Sequence, residues 1–335
     1  MVDETWLAQV TEEIIDPDRP IIDPHHHFWY DGPPRGFPYL LEHLWADTGS
    51  GHRVEQTVFV EAGAAYLEDG DDLFRPVGET EFVAGLAKAS REGEGAVVGG
   101  IVGHADLSQG EKIRPVLEAH ITAGDGLFRG IRHHGSWDAS PDVPNSRIEP
   151  PPHLFTSGDF REAVRLLGDL ELSFDAWCYH PQLPEVAELA DACPETTIVL
   201  NHLGGVLGIG PYAGRRDEVF DVWKRDFAAL ADRPNVFAKL GGLAQGVNGY
   251  DWEKRDLPPT SDEIAETQAP FYEHAIACMG AGRCMFECNF PVEKTSVSYH
   301  VLYNAFKKVA QKYNEGEREA LFRGTATRAY RLEAG

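Results

Sequence analysis

Long apolar runs are missing from this chain. None of its 335 residues fall in a stretch of about 18 apolar positions, so no transmembrane helix is expected. The start, Met1 to Leu7, has neither a basic n-region nor an apolar h-region. It does not read as a signal peptide, and the cytoplasm is the expected address. Basic residues are scarce, with 30 Lys and Arg against 54 Asp and Glu and a net charge of −24. Nucleic acid and anionic membranes both need a basic surface, so neither is expected as a partner. The balance leaves a small-molecule substrate as the expected partner and leaves assembly into a homo-oligomer open. Cysteine is sparse and odd in number: Cys178, Cys193, Cys278, Cys284 and Cys288. Without repeated CxxC pairs, these argue against a disulfide framework or a structural zinc site and read as small buried side chains. No fixed-period repeat and no interdomain linker is visible, so residues 1–335 read as one domain.

What the chain does contain is a rhythm of short β-branched runs separated by helical patterns, the mark of parallel βα units. The runs are 20–28, 56–62, 96–104, 127–133, 172–180, 197–202, 236–240 and 284–289. Eight such runs close a (β/α)8 TIM barrel. Residues 184–193, 217–231 and 263–279 carry helical patterns between them, the first opening with a proline suited to a first turn. The stretch 140–152 holds five prolines and no apolar period. It reads as the heart of a long loop near 135–157 lying over the barrel mouth, and residues 246–259, within 244–262, read the same way.

The histidines fall where such barrels keep their chemistry. His25 and His27 close the first run, His180 the fifth and His202 the sixth. Alternation sets His25 and His27 on one side of their strand and His26 on the other. Strand C-terminal ends carry the active site in this architecture, and converging imidazoles suit metal binding or acid–base work. Asp23 shares the phase of His25 and His27 and could orient one of them. Glu61 follows the second run and is a candidate catalytic carboxylate, its phase left open. Glu287 stands two residues before Asn289, one layer deeper on the same face. On the fourth run Arg129 and Arg132, followed by His133 and His134, suggest a substrate that is anionic or strongly polar. Lys239 on the seventh could stabilise a developing oxyanion. Trp29, Tyr30, Trp137 and Trp177 could wall an aromatic or alicyclic ring.

Several segments together resemble the amidohydrolase-2 branch of the amidohydrolase superfamily: 22–29 (IDPHHHFW), 179–182 (YHPQ), 201–205 (NHLGG), 239–242 (KLGG), 285–294 (MFECNFPVEK) and 321–330 (LFRGTATRAY). The resemblance runs from about residue 20 to 332, and includes likeness to sugar lactonases and to the pyrone-dicarboxylate lactonase. It implies His25, His27, His180 and His202 as the site histidines, expected as metal ligands. Read with the residues above, His180, His202, Lys239 and Glu61 are the expected catalytic groups, and Arg132, His133, Asn289 and Trp29 the expected substrate contacts. Asn289 stands where many members have aspartate. An amide has no useful basicity and is a weak neutral ligand, so one divalent metal, zinc or manganese, is expected to be loosely held or absent. The expected activity is hydrolysis of a small cyclic ester, a lactone, from sugar-acid or aromatic-acid breakdown. Metal-dependent decarboxylation or C–C hydrolysis of a ring acid is the second expectation, and a non-catalytic barrel that binds a small ligand is the third.

Overall fold

Eight parallel strands form one sheet in sequential order. They are β1 (Ile21–His26), β2 (Val54–Val60), β3 (Val97–Gly103), β4 (Phe128–His134), β5 (Ser173–Trp177), β6 (Ile198–Leu200), β7 (Val236–Leu240) and β8 (Cys284–Phe286). This computed structural model describes residues 2–31, 36–145 and 148–333, so residues 146–147 of the long fourth loop lie outside it. The sheet closes beyond β8, where His27 N donates to Phe290 O (2.8 Å) and Asn289 N to His25 O (3.0 Å). The result is a (β/α)8 barrel.

Helices cover the outer face; helix Tyr299–Ala310 is buried almost all round, and others bury one stripe. Helix Gly158–Asp169 buries Phe160, Ala163, Val164, Leu166 and Leu167, the spacing of one helical face. Helix Ser261–Met279 starts at a reciprocal cap, in which Glu263 N donates to Thr260 Oγ1 and Thr260 N to the Glu263 carboxylate. Helices Leu183–Ala192 and Arg216–Ala231 match the expected patterns to within a residue or so. No helix among the described residues is long and apolar enough to cross a membrane.

Inside the barrel, Ile22, Val58, Val60, Val102, Val199 and Met285 pack with Ala326, Ala329, Tyr330 and Leu332. The C-terminal helix Thr325–Ala329 and the residues after it thus plug the end where the strands begin. Gln56, near the start of β2, donates to Glu333 O. The plug leaves the strands' C-terminal ends as the open mouth.

Three strand ends decide where the chemistry-bearing side chains go. β1 is bulged, its register against β2 shifting between Asp23 and His26. Ile22 and His25 therefore both face inward although three positions apart, and Asp23 is turned out of the barrel. It accepts from Cys288 N (3.1 Å) and Tyr299 Oη (2.9 Å) instead of sharing the side of His25 and His27. β5 ends at Trp177 and β6 at Leu200, so His180 and His202 lie past the pleat, where alternation no longer sets direction.

Candidate active site

The deepest polar layer rests on the tail. Tyr330 Oη donates to Asp175 Oδ2 (2.8 Å), which also accepts from Asn201 Nδ2 (2.9 Å) and Lys239 Nζ (2.9 Å). Lys239 Nζ reaches on to His25 Nδ1 at 3.1 Å. Lys239, Asp175 and His25 are all fully buried.

The next layer holds the imidazoles. His202 Nδ1 lies 2.5 Å from Glu287 Oε1. A carboxylate oxygen only accepts, so Nδ1 carries the proton and Nε2 the lone pair of the neutral ring. Burial lowers the pKa of His202 although Glu287 opposes the shift, which favours the neutral ring with Nε2 able to accept a proton. Burial, followed by Lys239, His202, His27 and Arg132, lowers His25 well below its ordinary value. Its Nε2 is 3.3 Å from Arg132 Nη1. Lysine and arginine are donors only, and a neutral imidazole has one acceptor nitrogen, so His25 satisfies one of these two cations at a time. His27 donates Nδ1–H to Val60 O (2.7 Å), turning Nε2 toward the Asn289 amide, whose Oδ1 is 3.2 Å away. Asn289 Nδ2 is buried without a hydrogen-bond partner among the described residues. A lone pair on Nε2 is better served by the amide nitrogen than by its oxygen, so the amide favours the orientation that offers one N–H to His27 and the other to the cavity.

The backbone is shaped for this arrangement. His202 (φ 53°) and Asn289 (φ 54°) sit in the left-handed region, which costs about 1–3 kcal/mol per residue and is found where function needs the direction it gives. A Cβ on Gly242 would fall 2.2 Å from His202 Nδ1, and one on Gly241 would fall 2.6 Å from Glu287 Cγ. The two glycines after β7 leave the room that His202 and Glu287 occupy.

Above these groups a cavity of about 190 Å³ opens, lined by His27, Arg132, His134, Trp177, Tyr179, His202, Gln245 and Asn289, among others. Trp177 meets the His202 ring edge-on at 4.8 Å. The long fourth loop is tied over the mouth by Tyr179 Oη, which donates to Pro144 O, and by Tyr212 Oη, which donates to Asp138 Oδ2. A larger cleft of about 680 Å³ lies at the opposite end, among Arg53, Arg91, Arg323 and Glu333. It holds none of the imidazoles, so chemistry and not size identifies the site.

The structure brings His25, His27, His202, Arg132 and Asn289 together, and five expected placements are corrected. His180 accepts from Leu207 N (3.2 Å), packs on Tyr212 and does not line the cavity, because the chain has left β5 before reaching it. Burial takes it down to about 4. His133 alternates outward from Arg132 and packs on Phe160. His134, on the inward phase, lines the cavity in its stead. Trp29 stacks behind His27 and donates to Phe37 O rather than facing the cavity. Lys239 is sealed beneath His25 and does not line the cavity. Glu61 accepts from Arg132 Nε (2.9 Å) and from His134 Nε2 (2.6 Å), so it holds two cavity-lining side chains and is not one itself. The position of His134 follows from the alternation that marks Arg132. Tyr179 and Gln245 lie on loops and carried no such signal.

For a metal, the group within reach differs from the four histidines expected. His25, His202 and Glu287 offer ligand-type atoms all within 4.8 Å of one another. His180 and His27 are not in that group. Two neutral imidazoles and one carboxylate suit a zinc-type ion. Glu287 Oε2 fits such a cation: it is fully buried, has no hydrogen-bond partner among the described residues, and lies 2.8 Å from His25 Nδ1. Lys239 and Arg132, both against His25, oppose the binding of a further positive charge.

A (β/α)8 barrel with imidazoles and carboxylates converging at its open mouth defines an amidohydrolase-type enzyme. The chain belongs to the amidohydrolase family, whose Amidohydrolase model it matches over residues 22–332. It is 32% identical over 327 residues to the uncharacterized protein y4mH of Sinorhizobium fredii (strain NBRC 101917 / NGR234), with 94% of this chain and 99% of that one covered. Among solved structures, an amidohydrolase from Burkholderia multivorans with bound zinc superposes with a TM-score of 0.72 at 23% identity, covering 94% of this chain and 100% of that one. A candidate 2-pyrone-4,6-dicarboxylic acid hydrolase from Pseudomonas putida gives 0.62 at 16%, covering 94% and 98%. The manganese complex of 5-carboxyvanillate decarboxylase from Novosphingobium aromaticivorans gives 0.57 at 13%, covering 95% and 97%. These structural likenesses establish the shared fold.

Proposed function

We propose that this enzyme hydrolyses a small, one-ring cyclic ester, a lactone of polar and uncharged character, in the cytoplasm and without nucleic-acid or membrane partners. The observation that carries the reading is the buried His202–Glu287 pair, 2.5 Å apart, at the edge of a cavity of only about 190 Å³. That volume lies below the ~300–1,000 Å³ of drug-sized pockets, which favours a single ring. The guanidinium lining it is already paired with Glu61, which favours a neutral substrate over a carboxylate.

In this mechanism His202 takes a proton from water through Nε2, while Glu287 holds Nδ1–H and stabilises the imidazolium that forms. The hydroxide adds to the ring carbonyl. Asn289 Nδ2 and a guanidinium N–H of Arg132 donate to the oxyanion. His202 returns its proton to the ring oxygen as the C–O bond breaks and the hydroxy acid leaves. A divalent ion held by His25, His202 and Glu287 would occupy the lone pair His202 otherwise uses as base, and would supply Lewis-acid polarisation in its place. The pyrone-dicarboxylic acid hydrolase likeness supports ester opening on this scaffold, and the decarboxylase likeness marks ring-acid decarboxylation as the reading to test against it.

A panel of one-ring lactones, assayed with and without chelator, tests the proposal. The wild type is expected to open at least one of them, and His202→Gln to lose roughly 10²–10⁴-fold in turnover. Full activity in His202→Gln, or carbon dioxide release from ring acids with no lactone opened, overturns it.

A further inference from the structure

Lys239 is left without a part in that mechanism, yet its ammonium is anchored within the barrel interior. It is fully buried, with Nζ 2.9 Å from Asp175 Oδ2, 3.1 Å from His25 Nδ1 and 5.2 Å from the centre of the Tyr330 ring. Asp175 is itself held by Tyr330 Oη and Asn201 Nδ2. The anchoring residues come from β5, from the turn after β6 and from the C-terminal tail, so the ammonium is fixed by three separate parts of the chain. The charges around it are unevenly matched. Glu61 is paired with Arg132 and Asp175 with Lys239, while among the described residues the ion-pair partners of Glu287 are the imidazoles of His25 and His202.

We propose that Lys239 is a resident cation that competes with a divalent metal for the His25–His202–Glu287 group, and that Asp175 and the C-terminal Tyr330 are the positioning residues that keep it there. Two effects act in the same direction. An ammonium has no lone pair, so in the tautomer in which His25 accepts from it the contact is an N–H donated into the Nδ1 lone pair, which a metal at that nitrogen needs. Its charge also lies one hydrogen bond from a ligand imidazole, so it repels a second cation in surroundings of low dielectric. The C-terminal segment 321–330 thereby acts on the mouth from the far end of the barrel, through Tyr330, Asp175 and Lys239 in turn.

The inference concerns the same site as the hydrolase reading, and zinc titration without substrate keeps the two separable. Calorimetry with zinc chloride compares the wild type with Lys239→Gln, whose amide keeps N–H donors for Asp175 but removes the charge. Removing a unit charge this close to a divalent ion is expected to tighten binding by on the order of 100-fold. Adding Glu287→Gln to Lys239→Gln is expected to abolish the gain, which assigns the zinc to this group. The double variant Asp175→Asn with Lys239→Met removes the buried ion pair as a unit and should show the same tightening if Lys239→Gln does not fold. Equal zinc affinity in wild type and a folded charge-removed variant overturns the proposal. So does a gain that survives Glu287→Gln, because the zinc then binds elsewhere. Lactone assays on the wild type are read separately. Their failure sinks the hydrolase reading and leaves the zinc result standing.

Discussion

Replacing Gly242 by alanine tests whether the loop after β7 is shaped around His202. Gly242 has φ 68°, and a Cβ there would lie 2.2 Å from His202 Nδ1 and 2.3 Å from its Cγ. The ring has little room to retreat: Glu287 holds Nδ1 at 2.5 Å and Trp177 stands edge-on at 4.8 Å. Alanine in the left-handed region costs about 1–2 kcal/mol, and overpacking a rigid interior adds about 1–3 kcal/mol. The expected loss is therefore about 2–5 kcal/mol, out of the 5–15 kcal/mol or so typical of a folded protein. The control is Gly246→Ala four positions along, where a Cβ meets nothing within 4 Å and φ is not positive. It should be neutral, or stabilising by up to about 1 kcal/mol through the unfolded chain. Urea midpoints of the two variants and the wild type measure this. Turnover of Gly242→Ala should fall further than stability alone requires, since His202 must leave Glu287 to make room. If Gly242→Ala unfolds at the same urea concentration as Gly246→Ala, the argument from close approach is wrong.

Two further outcomes follow from buried groups. Burial holds His120 and His52 at about 4 in the fold, below the unfolded value of about 6.5. Both are neutral when folded, so their contribution is fully present above about pH 6.5 and is lost as pH falls toward 4 and the unfolded chain takes up protons. Between pH 7 and 5 each should cost about 2 kcal/mol of stability; His120→Gln should flatten the slope of urea midpoint against pH, and an unchanged slope would exclude that residue. Glu61→Gln leaves the Arg132 guanidinium without its carboxylate in a buried setting and should cost about 3–5 kcal/mol. A loss below about 1 kcal/mol in denaturant titration would show that backbone contacts, not the ion pair, hold Arg132.

The architecture was legible because each strand announces itself as a short β-branched run, and a run needs only its own residues to be seen. Direction at the strand ends was not. The bulge in β1 turns Asp23 outward, and its cause lies in pairing with β2 rather than in the residues of β1. His180 would continue β5 only if the strand ran three residues past Trp177, where it stops. His133 and His134 show the same limit from the other side: alternation from Arg132 points His134 inward and His133 out, and adjacency along the chain had obscured it. The contacts that define the inner layers join residues far apart in sequence, such as His202 with Glu287 and Tyr330 with Asp175. Residue types and strand phase identify the participants in such contacts, and tertiary packing chooses the pairs.

The net charge of −24 and the chemistry of the mouth are separate matters. Surface carboxylates are hydrated and screened within a Debye length of about 8 Å, so they set solubility and repel polyanions. Inside the barrel each charge is felt by its neighbours with little screening, and there the cations Lys239 and Arg132 both press on one imidazole, His25. Both disfavour its protonation. The same cations lower His202 too, but Glu287 opposes that shift at His202, so of these two rings His202 is the one whose protonated form is better tolerated. A general base must become a cation during the reaction, so this asymmetry between two neighbouring rings is the physical reason to assign proton transfer to His202 and not to His25.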